Sequence, residues 1–74
     1  MAKFFHFQPN ELLEKMKTKQ EYLPSYQDIY VNVNLINIVT KITDNIYKVM
    51  IGERTWYVKK EIFERLKKEV LDAK

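Results

Sequence analysis

Side chains able to do covalent or acid–base chemistry are few in this chain. His6 is the one histidine, Ser25 the one serine, and cysteine is absent. A serine nucleophile needs a base within hydrogen-bond reach and a third group to orient that base. Nothing places such partners around Ser25, which lies in the loop-like stretch "PSYQD", nineteen residues from His6. A single histidine without thiolates is too small a ligand set for a zinc centre, and the simpler role for His6 is that of a neighbour within the aromatic run "KFFHFQ". Only Gly52 is a glycine, which excludes the Gly-rich phosphate loops. Paired carboxylates of the glycosidase kind are compatible with spacing alone. The ten acids, however, lie beside lysines or in turns, where solvated charge accounts for them. The chemistry points away from an enzyme and implies no metal, no cofactor and no small-molecule substrate.

Recognition chemistry is better represented. Residues 41–60 hold Lys41, Lys48, Arg54, Lys59 and Lys60 against Asp44 and Glu53, while the flanking segments balance, so the net charge of +3 resides here. The same stretch, within "YKVMIGERTWYVKK", contains the only tryptophan, Trp56, and the aromatic Tyr57. Aromatic rings among lysines on an exposed sheet can stack bases and neutralise phosphates. They can equally belong to a hairpin that buries one face and solvates the other.

The elements that must position these residues follow from periodicity. "KFFHFQ", residues 3–8, is a short strand. Pro9 and the run "NELLEKMKTKQEYL" predict a helix over about residues 10–23, with Leu13, Met16, Gln20 and Leu23 on one stripe and Pro24 as its stop. Lys15, Lys17 and Lys19 ring this helix, diluted by Glu11, Glu14 and Glu21. From Ile29 the period becomes two, and adjacent Leu35 and Ile36 mark a phase slip through a bulge or bend. Ile36, Ile38, Thr40 and Ile42 should then share a face. Asp44–Asn45 suits a two-residue type I′ turn and Gly52–Glu53 a type II′ turn. The last segment sets Ile62, Phe63, Leu66 and Val70 on one helical stripe, with Glu61–Arg65 and Glu64–Lys68 as outer pairs and no capping side chain at its start.

Two two-residue turns would fix the register of a β meander. Ile38, Ile42, Tyr47, Val49, Ile51, Trp56 and Val58 would face the helix, interrupted only by Thr40 and Arg54. On the other side Lys41 would oppose Lys48, Lys48 would oppose Tyr57, Ile46 would oppose Lys59, and Met50 would lie between Val39 and Thr55. Like charges directly across two strands repel unless water separates them or an anion is held between them. Three readings are open for this face: a solvated surface, an anionic partner, or a protein partner that uses Val39, Met50 and Tyr57. The fold class predicted is α+β, an antiparallel meander of three to five strands packed against a C-terminal helix, with the additional N-terminal helix.

Seventy-four residues make one domain, near the lower limit for a single apolar core. At 46% hydrophobic and 31% charged residues the chain reads as globular and not disordered. Without cysteine the expected compartment is reducing, with the cytoplasm as default, and no stretch reads as a signal peptide or a membrane span. Exposed edges at residues 29–33 or 54–59 predict a homodimer.

The segment "IYVNVNLINIVTKITDNIYKVMIGERTWYVKKEIFERLKKEV", residues 29–70, orders strand, hairpin, "G-x-x-x-Y-V-K-x" and amphipathic helix. In this it resembles the small flagellar FlbD-type proteins, whose first strand is also like "KFFHFQ". It is similar, too, to the second half of LytTR-type DNA-binding domains. The helix over residues 10–23 has no counterpart in the flagellar proteins, and a LytTR domain has more strands before residue 29. No functional residue is carried over from either family, and the resemblance implies a regulatory or adaptor module. The expectation is a small non-enzymatic module, of a size and composition that also fit a phage- or virus-encoded effector. It would bind a protein partner or a second copy of itself through Lys41, Lys48, Met50, Tyr57 and Lys59, and the alternative is nucleic-acid binding by the same basic face.

Overall fold

A computed structural model describes residues 3–16 and 21–71. Strands β1 (Phe4–Phe7) and β4 (Ile29–Asn32) form an antiparallel pair. Strands β2 (Leu13–Lys15), β3 (Tyr22–Pro24), β5 (Ile36–Lys41), β6 (Ile46–Ile51) and β7 (Arg54–Lys59) form an antiparallel sheet in the order β3-β2-β7-β6-β5. Helix α1 (Lys60–Leu66) follows and runs on as a π-helical turn over Lys67–Leu71. The class is α+β, as expected, with a three-stranded meander β5–β6–β7 ahead of the C-terminal helix and seven strands among the described residues.

The core lies between the inner face of the five-stranded sheet, the β1–β4 pair and α1. Phe5 and Phe7 alternate inward from β1 and meet edge to face, with ring centres 4.8 Å apart. Val31 enters from β4, Val49 and Val58 from the sheet, and Leu66 and Val70 from the C-terminal segment; all are buried. Ile62 and Phe63 pack against them half-buried, and Phe63 stacks on Tyr47 at 3.9 Å. The helical stripe is thus as the sequence predicts. No side chain caps α1; its first amide, that of Lys60, donates instead to the Asn45 carbonyl at 2.9 Å.

The expected phase slip is present in two parts. Val33–Leu35 form a 3-10 turn, opened by the Asn32 side chain accepting the Asn34 N–H at 2.9 Å, and a bulge at Asn37 follows between Ile36 and Ile38. The Asn37 side-chain Nδ2 donates to the Gly52 carbonyl at 3.1 Å while the Gly52 N–H donates to the Leu35 carbonyl at 2.8 Å, clasping the entry of β5 to the β6–β7 turn. That turn has two residues, as expected. Gly52 has φ +61° and Glu53 is not in the positive-φ region, the sign pattern of type II′.

The other reversal is one residue longer than predicted. Lys41 pairs with Tyr47, and the Ile42 N–H donates to the Ile46 carbonyl at 3.0 Å, leaving Thr43–Asn45 as a three-residue loop. A type I′ turn would hold Asp44 and Asn45 both at positive φ, at a cost of roughly 1–2 kcal/mol for each L-residue. Neither is in that region. The Thr43 hydroxyl accepts the N–H groups of Asn45 (3.2 Å) and Ile46 (3.1 Å), so the longer loop gives these two amides an acceptor without any residue at positive φ. The longer loop changes the register. Val39 opposes Val49 and Thr40 opposes Lys48, so Val39 and Lys41 lie on the inner side, and Ile38, Thr40 and Ile42 on the outer. Beyond the bulge Ile36 is again inward, against the core.

No helix forms over residues 10–16 or 21–23, and residues 17–20 lie outside the described part. A helix of that length is marginal in water unless one face is buried, and the predicted stripe included the polar Gln20. Two strands on the edge of β7 serve the segment better. β2 pairs with β7 through Leu13 and Tyr57 and with β3 through Leu13–Pro24, Glu14–Leu23 and Lys15–Tyr22. Leu12 and Leu13 are both buried, which their projection to opposite sides permits. Pro24 lies in the edge strand β3; the Ser25 N–H makes the inward bond, to Leu12 at 2.9 Å, so the missing proline donor falls on the open edge. Strand β7, predicted as an edge, is interior between β2 and β6.

Candidate functional site

Strand alternation and the observed register define the outer face of the five-stranded sheet. Across it run Ile38, Met50 and Thr55; then Thr40, Lys48, Tyr57 and Leu13; then Ile42, Ile46 and Lys59, with Lys15, Tyr22 and Pro24 toward the β3 edge. Neither the helix nor the β1–β4 pair covers this side. Ile38 and Ile42 remain 55% and 46% exposed, and Ile46, Met50 and Tyr57 are half-buried by their neighbours alone. The cations Lys15, Lys48 and Lys59 stand among them, and none of these strand positions is acidic, though Glu61 borders Ile46 and Lys59 at the start of α1.

Four of the five predicted site residues share this face: Lys48, Met50, Tyr57 and Lys59. Lys41 does not. It opposes Tyr47 instead of Lys48, and its ammonium binds Asp44 at 3.1 Å, an exposed pair that holds the lysine above its ordinary pKa. The predicted Lys41–Lys48 repulsion is therefore absent. Val39 has likewise moved inward. Sequence reasoning missed Ile38, Ile42, Lys15 and Tyr22. Simple alternation places the two isoleucines in the core, and helical spacing places the other two residues on a helix. The Tyr22 ring meets Tyr57 edge-on at 5.1 Å, partly covering it.

His6 Nε2 lies 2.7 Å from Asp28 Oδ1 and the His6 ring stacks on Tyr30 at 4.4 Å, the aromatic role expected of it. No group of three metal-ligating side chains occurs among the described residues.

A second polar cluster is structural. Arg65 donates Nη1 to Glu11 Oε2 (3.0 Å), and Nη2 both to Glu11 Oε1 (2.7 Å) and to the His6 carbonyl (3.1 Å). Its guanidinium also lies over the Phe5 ring. Glu11 Oε1 also accepts the Gln8 N–H at 2.7 Å. This bidentate clamp ties α1 to the chain between β1 and β2, in place of the predicted Glu61–Arg65 pair. The Arg65 hydrogen bonds hold the Glu11 carboxyl below its ordinary pKa, against an opposing effect of burial, and Glu11 raises that of Arg65. Beside the clamp runs a groove of about 520 Å³ bounded by Lys3, Phe4, His6, Arg65 and Lys68. Its arginine is committed to Glu11, and Lys3 Nζ donates to the Glu69 carbonyl at 2.9 Å.

No helix of the described residues is long and apolar enough to cross a membrane. Comparison with protein-family models, with curated proteins and with solved structures finds no match to this chain.

Proposed function

We propose that this protein is a small non-enzymatic regulatory or adaptor module that takes a protein partner on the outer face of its five-stranded sheet. The observation that carries the reading is the composition of that face. Ile38 and Ile42 stand exposed beside half-buried Ile46, Met50 and Tyr57, and small monomeric proteins seldom leave so continuous an apolar surface without a use. Lys15, Lys48 and Lys59 surround it, which suits a partner surface with an acidic rim. The departure of Lys41 removes a cation and the arrival of two isoleucines adds apolar area. Both changes favour a protein over the nucleic-acid alternative, for which Tyr57, edge-on to Tyr22, offers less free ring face.

The test is affinity capture from a lysate with wild-type, Met50→Ala and Lys48→Glu proteins, each checked for retained folding by circular dichroism. The expected result is a retained protein, resistant to nuclease, that both variants lose. Equal capture by the variants would overturn the reading. Direct binding of single-stranded oligonucleotides that weakens steeply with salt would replace it with the nucleic-acid one.

A further inference from the structure

Strand β5 closes one side of the five-stranded sheet, and its outer edge is unpaired among the described residues. Which backbone groups it presents follows from the turns. In a two-residue hairpin the closing pair, Ile51–Arg54, exchanges both hydrogen bonds, so Tyr47 and Val49 bond toward β7 while Ile46, Lys48 and Met50 bond toward β5. Their opposites Ile38 and Thr40 therefore spend their N–H and C=O groups on β6. The Ile42 N–H donating to the Ile46 carbonyl at 3.0 Å gives the same phase independently. Left pointing outward are the amides and carbonyls of Val39 and Lys41.

We infer that β5 pairs antiparallel with β5 of a second copy of this chain, about a two-fold axis through Thr40, joining two sheets into one of ten strands. This register meets three requirements at once. Val39 and Lys41 face Lys41 and Val39 of the second copy, so all four outward amides and all four outward carbonyls at these positions are satisfied. Ile38 opposes Ile42 of the second copy on the outer face, twice, covering the two exposed isoleucines of that face. Lysine never opposes lysine, and each Lys41 is already compensated by its own Asp44.

Neighbouring registers fail on one count or another. An axis through Lys41 sets like charges face to face. An axis through Val39 sets Ile38 against Thr40 and calls on the bulged Asn37 for hydrogen bonds. Of the devices that keep strands apart, Ile36–Lys41 has no proline, a bulge at Asn37 that lies outside the paired span 38–42, and one charge, Lys41, which Asp44 compensates. An interface this short falls below the roughly 800 Å² per partner of stable complexes, so the association belongs in the micromolar range. It shares Ile38 and Ile42 with the proposed partner face, and the capture experiment above, which varies Met50 and Lys48, scores that reading separately.

The absence of cysteine makes the test direct. Across the axis the two Thr40 residues form a non-hydrogen-bonded pair with Cα atoms about 4.5 Å apart, within disulfide reach. Thr40→Cys should oxidise to a covalent dimer about tenfold faster than Glu53→Cys, an exposed control at the far turn, because pairing raises the effective concentration. Adding Lys41→Pro to Thr40→Cys removes an outward N–H but no bond to β6, and should erase that advantage while the circular dichroism spectrum persists. Sedimentation of the unmodified chain from low micromolar to about 1 mM should move from 9.0 kDa toward twice that mass. A 9.0 kDa species throughout, equal oxidation of the two cysteine variants, or an advantage that survives Lys41→Pro would each overturn the inference.

Discussion

On the inner face of the five-stranded sheet Val49 and Val58 are wholly buried beneath α1 and the β1–β4 pair, whereas on the outer face Ile38 and Ile42, larger and as apolar, stay about half exposed. The strands themselves do not distinguish the two sides; both carry aliphatic and aromatic residues in alternation. What distinguishes them is that the helix and the second sheet stack on one side only. Apolar content on the covered side is accounted for by folding. On the open side it is not, and that surplus is what the proposed function rests on.

The largest effect should come from the covered side. Leu66→Ala should cost about 3 kcal/mol in denaturant or thermal unfolding, since it opens a cavity where α1 meets the sheet. A loss below about 1 kcal/mol would mean that the helix is dispensable to the core and would break the contrast between faces.

Next comes the clamp that fastens α1. Glu11→Gln leaves the Arg65 guanidinium half-buried with its charge uncompensated, and should cost about 2 kcal/mol at neutral pH. The sign with pH follows from the Glu11 carboxyl being held below its ordinary value of 4.5. The stabilisation is present in full above that value, where the unfolded carboxyl is ionised too, and fades as pH falls through the lower folded value. Wild type and Glu11→Gln should therefore converge in stability as the pH is lowered below 4.5, and a constant gap down to the acid limit would sink this account.

Gly52→Ala comes third. A Cβ there meets nothing within 4 Å, so the cost is that of the positive φ alone, roughly 1–2 kcal/mol. The smallest change in stability belongs to the open face. Ile38→Thr should alter the unfolding free energy by no more than about 0.5 kcal/mol while reducing self-association. If it destabilised the monomer as Leu66→Ala does, the outer face would be core and the contrast would vanish.

Periodicity made β1, β6, β7, the type II′ turn and the stripe Ile62–Phe63–Leu66–Val70 legible, because in each a local pattern agrees with the tertiary packing. Two places resisted it. At Thr43–Asn45 the sequence "DN" is compatible with a tight reversal, but a threonine hydroxyl one residue earlier offers the amides a better acceptor, a competition that residue types alone do not decide. At residues 10–16 and 21–24, helical spacing lost to the vacant edge of β7, which is visible only once the sheet is assembled. Four of the five candidate site residues kept their common face because the β6–β7 register depends on Gly52 alone. Lys41 left it because its position depends on the other loop.

Asn37 and the extra loop residue behave like a matched pair of frameshifts in a reading frame. Each alone would turn the remainder of a strand upside down, yet with one at each end of residues 38–42 the inversion stays local, and Ile36 on one flank and Tyr47 on the other keep their original orientation. A pairing without either irregularity, with Ile42 opposite Tyr47 and Ile38 opposite Ile51, would turn Ile38 and Ile42 to the interior while Ile36 kept its side. The identity of this surface is thus set by how β5 is registered on β6, and the groups that hold that register, the Thr43 hydroxyl and the Asn37 side chain, lie outside the surface itself.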